Sequence, residues 1–265
     1  MTLWTVVSQP GYAFSNTSEQ AATHHDALGD LLDERTHATI TELTELPGRR
    51  VLEVGAGAGS IAAWLAGPAA EVVATDIAPQ RIPDRPRLTV RRHDIVTGAP
   101  LGRFDLVHAR LLLGHLPQRA VALRNLTAAL APGGVLLTGD FTVAPGAFVM
   151  AAPDEQTAGL LSRYLPVHVR ALTSHGYDND WAHRAPSAFV SAGLTDVRFR
   201  SSATGWRGGG AGCRLLLAGL GQLRPALLVH GFTADDLTAT AAALTDPRVL
   251  LNGFVFAQTS GRAPA

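Results

Sequence analysis

Val51-Leu52-Glu53-Val54-Gly55-Ala56-Gly57-Ala58-Gly59-Ser60-Ile61 is the stretch from which the rest of the chain can be read. Arg50 to Val54 is a short, mostly apolar and β-branched run, and Ser60 to Ala66 begins an apolar helix, so the glycines fall in a strand-to-helix turn. Gly55, Gly57 and Gly59 permit positive φ and let a ligand lie against main-chain N–H groups with no Cβ in the way. The turn is therefore expected to be a ligand loop. A dinucleotide fingerprint would need glycine where Ser60 stands, and a P-loop would need a lysine closing the loop, which is absent. Glu53 ends a strand expected to be buried, a costly place for a carboxylate unless backbone N–H groups or a cationic ligand group satisfy it.

Glu53-x-Gly55-x-Gly57-x-Gly59 resembles motif I of the class I S-adenosylmethionine-dependent methyltransferases. The resemblance implies a loop wrapped around the amino-acid half of S-adenosylmethionine, including Ala56, with Glu53 near the methionine ammonium. A nucleotide-binding turn of another kind, or a tight turn with no ligand, is the rival reading of the loop alone. Glu71 to Asp76 reads as a second strand, and Asp76 stands about 20 residues beyond the first glycine, where a carboxylate accepts from both ribose hydroxyls. Ile77 follows it, and a helix N-cap role for Asp76 before Ala78-Pro79 is compatible. Leu88 to Arg92 reads as a third strand, and the His93-Asp94-Ile95 that follows resembles the family's next cofactor motif. There Asp94 would accept from the adenine amine and Ile95 would pack on the ring; an exposed turn aspartate is the alternative.

Phe104 to Arg110 reads as a buried fourth strand, and the family's reacting methyl group sits beside the end of such a strand, here Ala109 and Arg110. Arg110 has the fork suited to the methionine carboxylate or an acidic substrate. His115, with an ordinary pKa near 6.5, is a candidate base, set against a plain structural role before a helix start. Ala131-Pro132-Gly133-Gly134 leading into Val135 to Phe141 resembles the fifth-strand motif, with Asp140 at the ligand edge. The resemblance implies two consecutive acids there, and this chain departs from it with Gly139 first. Tyr12 completes the candidate catalytic set of His115, Arg110, Asp140 and Tyr12. No metal set assembles, and His24, His25, Asp26 and His37 read as a solvated helix face.

The chain has 265 residues, 22 of them basic and 22 acidic, so no long-range field favours nucleic acid or anionic membrane. A small-molecule substrate is expected. Cys213 is the only cysteine, which excludes an intrachain disulfide and suits the cytoplasm. No apolar run is long enough to span a membrane, and no basic-then-apolar leader opens the chain. Alanine and arginine are abundant while lysine is absent, a bias that points to a GC-rich genome rather than to an activity.

The expected fold is α/β: a Rossmann-like, mostly parallel sheet of seven strands with an antiparallel last strand, helices on both faces, N-terminal helices and a helical cap. Residues 1–46 are assigned to an arm and two lid helices, 47–203 with 249–260 to the core, and 204–248 to the cap within the same domain. Val249 to Thr259 is expected as the final strand. A helical dimer face is the alternative use of the cap, so monomer and homodimer both stay open. The function expected is methyl transfer to an O, N or C nucleophile of a small natural product. A cyclisation in the same cofactor site and a nicotinamide-dependent oxidoreductase are the rivals.

Overall fold

The computed structural model describes residues 20–265. Tyr12, with the aromatic arm expected over Met1 to Asn16, lies outside the described residues.

The strands in chain order are β1 (Arg50–Val54), β2 (Glu71–Asp76), β3 (Leu88–Arg92), β4 (Phe104–Arg110), β5 (Leu130–Thr142), β6 (Val149–Ala151), β7 (Thr195–Ser202), β8 (Gly205–Arg207), β9 (Leu250–Asn252) and β10 (Val255–Arg262). Seven form the main sheet in the order β3-β2-β1-β4-β5-β10-β7, with β10 antiparallel to both neighbours. β1 and β4 are buried almost end to end, as strands covered on both faces must be, which is why each reads as a near-continuous apolar run. The chain moves outward from β1 to β3 and then returns to β4 on the other side of β1. That reversal opens a crevice at the carboxyl ends of β1 and β4, the usual ligand position in open α/β sheets.

Eight α-helices are described: α1 (Gln20–Leu43), α2 (Ser60–Leu65), α3 (Arg119–Ala128), α4 (Glu155–Thr173), α5 (Trp181–Ser191), α6 (Ala211–Gln222), α7 (Arg224–Val229) and α8 (Ala234–Thr245). Ile40 and Ile61 bring α1 and α2 onto the sheet face that carries Val51, Leu106 and Leu137. Leu126 and Phe189 bring α3 and α5 onto the opposite face with Leu52 and Val107. A third core, around Tyr164, Leu216, Phe232 and Leu244, joins α4 to the inserted helices and takes in Ala27 of α1.

Two expectations are corrected. The two helices read between Thr17 and Leu46 are one continuous helix over its described length, because a single buried stripe from Ala21 to Ile40 runs along it with no proline to break it. Gly29 is tolerated inside it with only Asp33 nearby. The return strand expected at Val249 to Thr259 divides in two. Leu250–Asn252 pairs with Gly205–Arg207 and Val149–Ala151 in a small second sheet, and the core strand starts only at Val255. Gly253 makes the break: a Cβ there would collide with the Thr204 carbonyl and the Trp206 indole, so only glycine lets the chain pass between the sheets.

The cap carries its own local signals. Thr233 Oγ1 accepts from the Asp236 N–H at 3.0 Å while the Asp236 carboxylate accepts from the Thr233 N–H at 3.0 Å, a reciprocal capping box that starts α8. Asp236 also pairs with Arg163 of α4 at 2.8 Å. Thr233→Ala should therefore lower stability by about 1 kcal/mol, read as a lower urea midpoint at unchanged m-value.

Candidate functional site

The glycine turn folds back on β2, with Gly55 and Ala56 N–H donating to the Thr75 carbonyl at 2.8 and 3.0 Å. Gly57 and Gly59 take φ of 57° and 80°. A Cβ on Gly57 would lie 2.9 Å from the His25 ring, and one on Gly59 would lie 2.8 Å from Ile82, so neighbours press on the loop where side chains are missing. Asp76 anchors the turn: one carboxylate oxygen accepts from Gly57 N–H at 2.9 Å and the other from Ala78 N–H at 2.8 Å. Asp94 accepts from Val96 N–H and Thr97 Oγ1, both at 2.8 Å.

These groups border one cleft of about 940 Å3. Of the residues proposed from sequence for the cofactor, Glu53, Gly55, Ala56, Gly57, Gly59, Asp76, Ile77, Asp94, Ile95 and Arg110 line it; Ala109 is buried behind the wall. The opposite wall is α1, through His25, Leu28 and Asp33. Arg110 ties the two walls together, 2.8 Å from Asp33 and donating to Thr36 Oγ1 at 3.2 Å. Ser60 Oγ adds a bond to Asp33 at 3.3 Å. The fork expected to await a ligand carboxylate thus already clamps a protein carboxylate.

Glu53 is satisfied in a way the sequence did not reveal. Its Oε2 lies 2.6 Å from Nδ1 of His108, and both side chains are almost wholly buried. A histidine inside the otherwise apolar run Phe104 to Arg110 was the available signal, since a buried imidazole needs a polar partner. The solvated face expected for His24, His25, Asp26 and His37 holds for the exposed Asp26 and is corrected for the three histidines. His24 is 9 % exposed, His25 borders the cleft, and His37 stacks on Trp64 at 4.0 Å. Among the described residues no group of three His, Cys, Asp or Glu side chains is gathered to hold a metal.

His115 and Asp140 stand behind the cleft wall rather than in it. The turn Leu113–His115 is pinned from both sides, by Gly114 N–H donating to Asp140 at 3.0 Å and by Gly114 O accepting from Asp178 N–H at 2.8 Å. His115 packs on Tyr177, ring centres 4.8 Å apart, and Tyr177 OH donates to the Phe141 carbonyl at 2.8 Å. Arg119, unflagged by sequence, donates to the Leu113 and Gly176 carbonyls and pairs with Asp178. Dense packing leaves some ring surface of His115 accessible, yet desolvation, reinforced by Arg119, lowers its pKa to about 4. Burial raises Asp140 to about 7 against the opposing pull of the Gly114 N–H. Of these two candidates, it is Asp140 that changes protonation near neutral pH.

A family model described as a methyltransferase domain matches residues 24–188. The chain is 30% identical over 137 residues to the ubiquinone biosynthesis O-methyltransferase of Xanthomonas euvesicatoria, covering 46% of this chain and 54% of that one. It is 35% identical over 113 residues to the trans-aconitate 2-methyltransferase of Methylobacterium radiotolerans, covering 39% and 44%. The chain thus spans about half the length of the curated relatives it matches. Its fold is similar to a solved Haemonchus contortus phosphoethanolamine N-methyltransferase 2 in complex with S-adenosyl-L-methionine, with TM-score 0.59 at 13% identity over 95% of this chain and 58% of that one.

Proposed function

Since the chain belongs to the methyltransferase domain family, which acts with S-adenosylmethionine, we propose that it transfers a methyl group from that cofactor to an O, N or C nucleophile of a small, natural-product-like molecule. The observation that carries this reading is the shared cleft: a turn that takes positive φ at Gly55, Gly57 and Gly59, with the carboxylates of Asp76 and Asp94 along one rim. Those residues fit the cofactor. The turn runs along the cleft with no side chains at Gly55, Gly57 and Gly59, beside the amino-acid half, Asp76 sets its carboxylate at the rim for a ribose diol, and Asp94 is an acceptor for an exocyclic amine. When bound, the cofactor supplies an electrophilic sulfonium methyl.

The chain's contribution is alignment and exclusion of water. Arg110 holds α1 over the cleft through Asp33 and Thr36, and the cap core closes the side beyond the Leu113–His115 turn. His115 stands behind the cleft wall with its pKa lowered to about 4, so it is poorly suited to deprotonate an acceptor, because efficient general bases titrate near the operating pH. His115→Ala is accordingly expected to lower kcat by less than about tenfold, short of the loss a true general base would cause. The single buried thiol, Cys213, is in keeping with work in the reducing cytoplasm.

The test is a pair of assays. S-adenosylhomocysteine should raise the melting temperature while NAD(H) does not, and a panel of small phenols, carboxylates and amines should include one that yields S-adenosylhomocysteine from S-adenosylmethionine. Preferential stabilisation by NAD(H) would overturn the reading.

A further inference from the structure

We propose that His108 is a positioning residue for the cofactor: it aims the Glu53 carboxylate so that one oxygen faces the cleft as a fixed partner for the cofactor's ammonium group. The inference rests on the cofactor reading above and goes beyond it in assigning a role to a side chain that does not itself border the cleft. Glu53 and His108 are register partners on the adjacent parallel strands β1 and β4. Leu106, His108 and Arg110 alternate onto the sheet face covered by α1, so the imidazole is sealed under that helix at 0 % exposure. Its Nδ1 meets Glu53 Oε2 at 2.6 Å. Its Nε2 has no partner among the described residues.

That imbalance is the argument. A histidine kept for packing alone would be better replaced by an apolar side chain, since burying a polar nitrogen without a partner is unfavourable. Among the described residues the one polar contact His108 makes is with Glu53, and Glu53 borders the cleft. With Oε2 engaged from behind, rotation of the carboxylate is blocked and Oε1 is held toward the cavity. Arg110 is engaged by Asp33, so Glu53 is the charged group at that end of the cleft whose own partner lies wholly inside the sheet.

The test compares two nucleosides that share adenosine and the thioether but differ in the amino-acid group: S-adenosylhomocysteine, which carries the ammonium, and 5′-methylthioadenosine, which lacks it. For His108→Phe, calorimetry should show S-adenosylhomocysteine binding weakened about ten- to a hundred-fold, the scale of a lost charge-assisted contact, with 5′-methylthioadenosine unaffected. His108→Asn, whose amide N–H reaches where Nδ1 stands, should recover most of the loss. Glu53→Gln keeps the shape while removing the charge, and should reproduce the selective loss even if His108→Phe does not fold. Equal weakening of both nucleosides in either variant, or no weakening of S-adenosylhomocysteine, overturns the positioning role. Failure of the unsubstituted protein to bind either nucleoside overturns the cofactor reading itself, a different result.

Discussion

Acidification from neutral pH to about pH 5 is expected to cost the fold several kcal/mol, with a slope on the order of 2–3 kcal/mol per pH unit. His24, His115 and His168 all have pKa values lowered to about 4, in each case first by burial. Neighbouring charge adds to it: His25 and His115 for His24, Arg119 for His115, and His24 for His168. For these three the native pKa lies below the unfolded value of about 6.5, so their contribution is complete above that pH and is lost as the pH falls through 4. Asp140 works in the opposite direction. Its native pKa of about 7 exceeds the unfolded value of 3.8, so its contribution is complete below 3.8 and is lost as the pH rises through 7. Near pH 5 the unfolded chain gains three histidine protons and gives up the one on Asp140, a net uptake of about two, which sets the slope. Urea titrations between about pH 7 and 5 should show the midpoint falling at constant m-value. His168→Leu, removing a ring bonded to Tyr164 at 3.0 Å inside the cap core, should reduce the slope by about one proton. A flat profile would mean that water reaches these histidines in the native state.

These histidines also mark where the sequence stopped being legible. The glycine turn, the two acids after β2 and β3, and the buried run of β4 each carry a local signature, and the core strands stand almost where those signatures put them. β1, β2, β3 and β4 match the predicted spans at both ends. Local signatures fail where a residue's meaning depends on what packs over it. His24 and His37 have the spacing of a polar helix face, but the sheet and the cap approach α1 from two sides, so that His24 is buried and His37 stacks on Trp64. Asn252-Gly253 is a turn signature inside the run read as one strand, and the collision a Cβ on Gly253 would make with the β8 end splits that run between two sheets. Glu53 was recognisable as a carboxylate in need of a partner, while His108, 55 positions away, becomes its partner only through strand register. The candidate site was therefore readable at the loop, where backbone chemistry is local, and unreadable behind it, where His115, Asp140, Tyr177 and Arg119 meet from separate elements.

Asp76→Ala is expected to weaken S-adenosylhomocysteine binding about a hundred- to a thousand-fold, the largest loss of any single change at the cleft. The carboxylate is 7 % exposed and serves two structures at once, accepting from Gly57 N–H of the turn and from Ala78 N–H beyond β2. Each bond involves an ionised acceptor and is worth about 1.5–3 kcal/mol, so removing the side chain strips the turn of its anchor before any ligand contact is counted. The carboxylate borders the cleft, and the adjacent pair of ribose hydroxyls matches the spacing of its two oxygens. Anchor and ligand roles separate with a second ligand, the 2′-deoxy analogue of S-adenosylhomocysteine. If Asp76 holds the ribose, the analogue should bind the unsubstituted protein more weakly than the parent by about tenfold, and Asp76→Ala should erase that difference, since the coupling vanishes when either partner is gone. If Asp76 only holds the turn, both ligands weaken together and their ratio stays as it was. Asp76→Asn sharpens the distinction. Its amide must set an NH2 group against either the Gly57 or the Ala78 N–H, so it should retain the ratio between the ligands only in part while losing affinity for both.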